Sequence, residues 1–134
     1  MATLRISAEN VCYVIAKARA LDVKVEPADL DDASDEDMMV RILEDYEDDP
    51  TFEELRSFLA AQNDEALQDL LALTWLGRGD GTLDDWDDIL ADVRDPRERH
   101  TVDYLLGTPL LADYLEEGLA QFGRSCEEFE LNRM

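Results

Sequence analysis

From Val11 to Leu119, apolar residues return every three or four positions, and no run holds a sustained apolar–polar alternation. That spacing gathers side chains on one face of an α-helix, whereas a half-buried strand needs a period of two. The chain therefore reads as all-α: a compact, irregular bundle of six to eight helices joined by short loops, neighbours packing antiparallel. Its 134 residues suit a single helical domain over 1–134, with one core that needs neither disulfide nor metal.

Capping residues and prolines divide the pattern. A first helix opens at Ser7, carries Val11, Val14, Ile15, Ala18 and Leu21 on one face, and ends near Val23, before the Glu26–Pro27 step. Residues 27–35 are acidic and turn-rich, and we expect a mobile loop there. Ser34 and Asp37 would start a second helix bearing Met38, Met39, Ile42, Leu43 and Tyr46, broken at Asp49–Pro50. Thr51 with Glu54 reads as a capping box for a helix with Phe52, Leu55, Phe58 and Leu59 inward.

Asn63 caps the next segment, whose second half, Leu70 to Leu76, is apolar on all sides, as expected of a central, buried helix. Gly77 and Gly79 are expected to end it. Thr82 with Asp85 opens a helix with Leu83, Trp86, Ile89, Leu90 and Val93 on one face. Asp95–Pro96 and Thr108–Pro109 each read as a cap followed by proline at the first helical position, where no amide hydrogen is needed. The helices they start would bury Val102, Leu105 and Leu106, then Leu111, Tyr114, Leu115, Leu119 and Phe122. Ser125 with Glu128 suggests a last short turn.

The formal net charge of -22 narrows the function. It repels nucleic acid and anionic membranes and favours a basic protein partner, so direct nucleic-acid binding and membrane binding are not expected. No apolar run approaches the length of a membrane span, and Met1–Glu9 lack the pattern of a signal peptide. A cytoplasmic location is the expectation. Cys12, among Val11, Val14 and Ile15, reads as a buried thiol acting as a small hydrophobe; a disulfide to Cys126 stays open as an alternative that no sequence signal supports.

Constellations for chemistry are sparse. Asp80-Gly81-Thr82-Leu83-Asp84 with Asp87 resembles half of a calcium loop, but Leu76 and Arg78 occupy its first ligand positions. Arg78, just past the buried helix, is suited to grip Asp80 or Asp113 through its planar fork. Arg94, Arg97, Arg99 and His100 form the one basic island, either an anion pocket or salt bridges to nearby acids. His100 is the sole histidine, so neither a histidine-based zinc site nor a triad is expected. Adjacent acidic pairs point apart on a helix and define no cleft. We expect no catalytic residues, metal or cofactor. Trp75, Trp86, Tyr104 and Tyr114 lie on apolar faces and suit core packing.

Two stretches carry a resemblance. Leu73-Thr74-Trp75-Leu76-Gly77-Arg78-Gly79-Asp80 followed by Trp86, and Tyr104-Leu105-Leu106-Gly107-Thr108-Pro109-Leu110-Leu111-Ala112-Asp113-Tyr114-Leu115-Glu116-Glu117-Gly118, resemble the bacterial family catalogued as domain of unknown function 3775. Ile6–Val25 and Glu44–Leu59 are also similar to it. The resemblance implies a bacterial, helical, cytosolic protein and carries over no site residues. The expected function is a non-enzymatic, acidic protein-interaction or regulatory module. Two alternatives stand beside it: a nucleic-acid-mimicking decoy for a basic protein, and a small-molecule binder or enzyme built on the Arg78/Asp80 loop. The residues expected to contact a ligand or partner are Trp75, Arg78, Asp80, Trp86, Arg97, Arg99, His100, Asp113 and Tyr114.

Overall fold

Asn63 shows how local chemistry sets the architecture. Its side chain accepts the Ala66 amide at 2.8 Å, and the helix it opens becomes the axis of the bundle. A computed structural model describes residues 3–22, 50–93, 96 and 100–127. In them the chain forms α1 (Ala8–Asp22), α2 (Pro50–Ala60), α3 (Asp64–Arg78), a 3-10 turn (Leu83–Asp85), α4 (Trp86–Val93), α5 (Thr101–Leu106) and α6 (Leu111–Gln121). No strand occurs among the described residues, and the fold is an all-α bundle. The expected loop at 27–35 and the helix after Ser34 lie outside the described residues.

α3 is the centre. From Leu70 to Leu76 it is buried on nearly every side, with only Trp75 half-buried, and it packs against α4, α5 and above all α6. α1 lies across α6 and α2. One core joins Val11, Val14 and Ile15 of α1 to Phe52, Leu55 and Leu59 of α2, Leu67 to Leu76 of α3, Trp86 of α4 and Leu115 and Leu119 of α6. The α3–α6 crossing is set by two glycines, one on each helix. A Cβ on Gly77 would stand 1.8 Å from the Tyr114 carbonyl oxygen, and one on Gly118 would stand 2.7 Å from that of Leu73. The two backbones touch where side chains would hold them apart.

Several expected helix boundaries are corrected. Gly77 does not end α3; the helix continues to Arg78, and Gly79 at φ 97° closes it, donating its amide to the Leu76 carbonyl. Pro50 is itself the first residue of α2, so Thr51 is inside the helix and not its cap; proline's fixed φ and missing N–H suit that first position. The two cap-plus-proline starts also fail. α5 begins at Thr101, whose amide donates to the Pro96 carbonyl, with His100 in the left-handed conformation at its N-cap. α6 begins at Leu111 behind a left-handed Leu110. Thr108 closes the helix before it instead: its hydroxyl donates to the Tyr104 carbonyl at 2.6 Å. The Thr82–Asp85 box forms as expected, the Asp85 carboxylate accepting the Thr82 amide at 2.9 Å.

Cys12 is not a free thiol. It is bonded to Cys126 across 114 residues of sequence, with the two Cα atoms 5.6 Å apart. Gly123, at φ 75°, ends α6 and turns the chain back, and the Arg124 amide returns to the Leu119 carbonyl at 2.9 Å. That reversal brings Cys126 to α1.

Candidate functional site

The C-terminal end of α3 gathers the polar side chains that sequence singled out. Left-handed Gly79 lets the Asp80 amide return to the Trp75 carbonyl at 3.1 Å, so Arg78 and Asp80 emerge side by side at the surface. Arg78 donates through Nε (3.1 Å) and Nη2 to one Asp80 carboxylate oxygen, and through Nη1 to the Tyr104 hydroxyl (3.1 Å). The Trp75 indole nitrogen donates to the same hydroxyl at 3.4 Å. The Asp80 bond raises the Arg78 pKa above its ordinary value despite partial desolvation, so the guanidinium stays charged. Of the two acids suited to Arg78, the partner is Asp80.

Tyr104 is the member that sequence reasoning assigned to the core. Its ring is half-buried, but its hydroxyl is the hub that joins α5 to α3. A tyrosine on an apolar face needs a partner for its oxygen, and that requirement was the available signal.

Of the remaining expected contacts, those among the described residues do not join this cluster. Asp113 is exposed on α6 and pairs with Arg19 of α1 at 3.2 Å, joined by Glu116 at 3.1 Å. Tyr114 is half-buried and gives its backbone to the Gly77 contact. Trp86 is 1% exposed and meets Phe122 edge-on, ring centres 4.9 Å apart, so it is out of reach of any ligand or partner. His100 is exposed, one turn before Tyr104, whose amide donates to its carbonyl. Arg97 and Arg99 lie outside the described residues.

A second polar centre carries no local sequence signal, because its partners lie 64 residues apart. Asp69 of α3 is fully buried, and its two oxygens are taken up by the segment before α1. One accepts Arg5 Nε at 3.2 Å and Nη2 at 2.8 Å; the other accepts the backbone amides of Arg5 and Ile6 at 2.6 and 3.1 Å. Gln68 beside it accepts from Arg5 at 2.9 Å and donates to the Leu90 carbonyl at 2.8 Å. A carboxylate with all its lone-pair directions filled by this chain has none left for a substrate, so its role is to strap the N-terminal segment onto α3.

Residues 52–124, more than half of the chain, match the family described as Protein of unknown function (DUF3775). The chain belongs to this family. The DUF3775 region takes in both signature stretches and α2 from Phe52 through α6, while α1, Arg5 and both cysteines fall outside it. No curated protein and no solved structure matches the chain.

Within the DUF3775 region the most one-sided surface is that of the 3-10 turn and α4. Trp86, Ile89 and Val93 point into the core, while Asp84, Asp87 and Asp88 are exposed and make no ion pair among the described residues. By contrast Arg5, Lys17, Arg19 and Arg78 are each paired with an acid. Further exposed acids stand on α2 (Glu53, Glu54), at the start of α3 (Asp64, Glu65) and on α6 (Glu116, Glu117). Among the described residues, no three of the His, Cys, Asp and Glu side chains are grouped so as to hold a metal ion. No helix there is long and apolar enough to cross a membrane.

Proposed function

We propose that the chain is a non-enzymatic, acidic helical interaction module whose partner is a basic protein, held by charge and not by an apolar patch. The observation that carries this reading is the surface of the 3-10 turn and α4, with Asp84, Asp87 and Asp88 exposed and without an ion-pair partner among the described residues. Uncompensated carboxylates raise the local potential, speed the encounter with a cationic partner and make the complex salt-sensitive. An apolar contact has little support: Leu110 is the only large hydrophobic side chain exposed among the described residues. The small-molecule alternative has less, because Arg78, Asp80, Trp75 and Tyr104 bond to one another. For the decoy, carboxylates on α2, α3, α4 and α6 speak against a single phosphate-like track.

The reading carries with it a bacterial protein working in the cytoplasm; the Cys12–Cys126 disulfide is the observation that weighs against a permanently reducing location. The test is capture from native lysate at low and high salt, with the wild-type chain and with an Asp84→Asn, Asp87→Asn, Asp88→Asn variant of unchanged circular dichroism. A basic partner that elutes in high salt and is lost with the variant supports the reading. A partner that the variant retains at both salts overturns it.

A further inference from the structure

We propose that the Cys12–Cys126 disulfide is a reversible redox clasp that fastens α1 and the segment after α6 to each other across the DUF3775 core. Three observations carry it, none of them dependent on the partner reading. First, both sulfurs belong to segments outside the family match, so the bond spans a seam and not the shared core. Second, the other ties between the N-terminal part and that core are non-covalent: apolar packing of Val11, Val14 and Ile15, and ion pairs from Arg5 to Asp69, Lys17 to Glu54, and Arg19 to Asp113 and Glu116. The disulfide is the covalent tie among them. Third, the two ends differ in access. Cys12 is 7% exposed within α1, whereas Cys126 is half-buried on a short tail turned back by Gly123.

The reductant is a dithiol. Its thiolate attacks Sγ of Cys126, the less buried residue of the two, forming a mixed disulfide and expelling Cys12 Sγ as a thiolate that takes up a proton. The second thiolate of the reductant then displaces Cys126 Sγ, which is protonated in turn. The dithiol leaves as a disulfide, having given two electrons to the chain. After opening, α1 is still held by Val11, Val14, Ile15, Ala18 and Leu21, and the glycine-mediated α3–α6 contact is untouched. Reduction therefore loosens the seam and leaves the bundle folded.

The test uses the full chain, purified in air and compared before and after treatment with dithiothreitol. Before reduction an alkylating agent should add nothing to the intact mass; afterwards it should label both cysteines. Amide exchange should rise about tenfold or more in the first turns of α1 and in residues 122–127, with α3 unchanged, as expected of a local opening. The melting temperature should fall by about 10 °C, and reoxidation with oxidised glutathione should restore both. Cys126→Ser should behave as the reduced chain and ignore the dithiol. Alkylation of both thiols before reduction, exchange unaffected by reduction, or loss of protection in α3 as well each overturn the proposal. The wild-type arm decides if the variant does not fold.

Discussion

Gly77 of α3 sits directly against the backbone of Tyr114 in α6: a Cβ there would stand 1.8 Å from the Tyr114 carbonyl oxygen. Backbone cannot rotate away as a flexible side chain can, so the helices themselves must separate. Gly77→Ala should therefore cost about 3 kcal/mol, the upper end of ordinary overpacking, and lower the melting temperature by about 10 °C. Gly79→Ala is the contrast. Nothing lies within 4 Å of a Cβ at that position, and the cost is that of a left-handed alanine at φ 97°, about 1 kcal/mol. Equal losses for the two variants, read by thermal melting, would show that the close approach does not set the crossing.

Asp69→Asn keeps the shape of the side chain but replaces one acceptor oxygen with a donor. Arg5 Nε and Nη2 on one side, and the Arg5 and Ile6 amides on the other, all require acceptors. One set is left facing a donor in a fully buried place, at a cost of about 2–4 kcal/mol. Arg19→Ala removes a bridge whose members are roughly half exposed, and should change stability by about 0–1 kcal/mol. Urea titration of both variants checks the ranking. An Asp69→Asn loss no greater than that of Arg19→Ala would mean that the N-terminal strap is not held by this carboxylate.

These two sites show what the sequence discloses and what it hides. The central helix was legible because its determinants are local: the Asn63 side chain bonds three residues on, and the Leu70–Leu76 run declares burial without reference to any neighbour. The Thr82–Asp85 box is equally local. Asp69 was silent because its partner is 64 residues away, and a lone acid in a helix looks like any solvated one. Gly77 looked like a stop signal because glycine's conformational use and its packing use are identical in sequence; only the path of α6 separates them. Thr108 before Pro109 had two possible customers, and the Tyr104 carbonyl behind it took the hydroxyl. Of the expected contact residues, Arg78, Asp80 and Trp75 meet on Tyr104 or on each other, because three of the four lie within six residues; Asp113 goes to α1.

Leu110 holds a left-handed backbone, φ 61° and ψ 24°, with 49% of its surface exposed. A leucine there strains its Cβ against the backbone by about 1–2 kcal/mol and recovers little by burial. Leu110→Gly removes the strain, offset in part by the entropy of a freer unfolded chain, and should stabilise by about 0.5–1 kcal/mol. A melting temperature higher by a few degrees is the expected reading. A fall would show that the leucine side chain packs more productively than its exposure suggests.

Trp86 is 1% exposed, set edge-on against Phe122, and its indole N–H has no hydrogen-bond partner among the described residues. Two opposing terms decide what Trp86→Phe does. The smaller ring leaves a void, and a cavity of about 40 Å³ costs about 1 kcal/mol. The substitution also removes a buried, unsatisfied donor whose desolvation costs about 1–3 kcal/mol. The two nearly cancel, so Trp86→Phe should lie within about 1 kcal/mol of the wild type, while Trp86→Ala, which removes the same donor but opens a far larger void, should lose about 3–5 kcal/mol. Chemical denaturation of both variants against the wild type measures that balance. A Trp86→Phe loss close to that of Trp86→Ala would mean that the indole nitrogen is bonded in solution, with water as the partner.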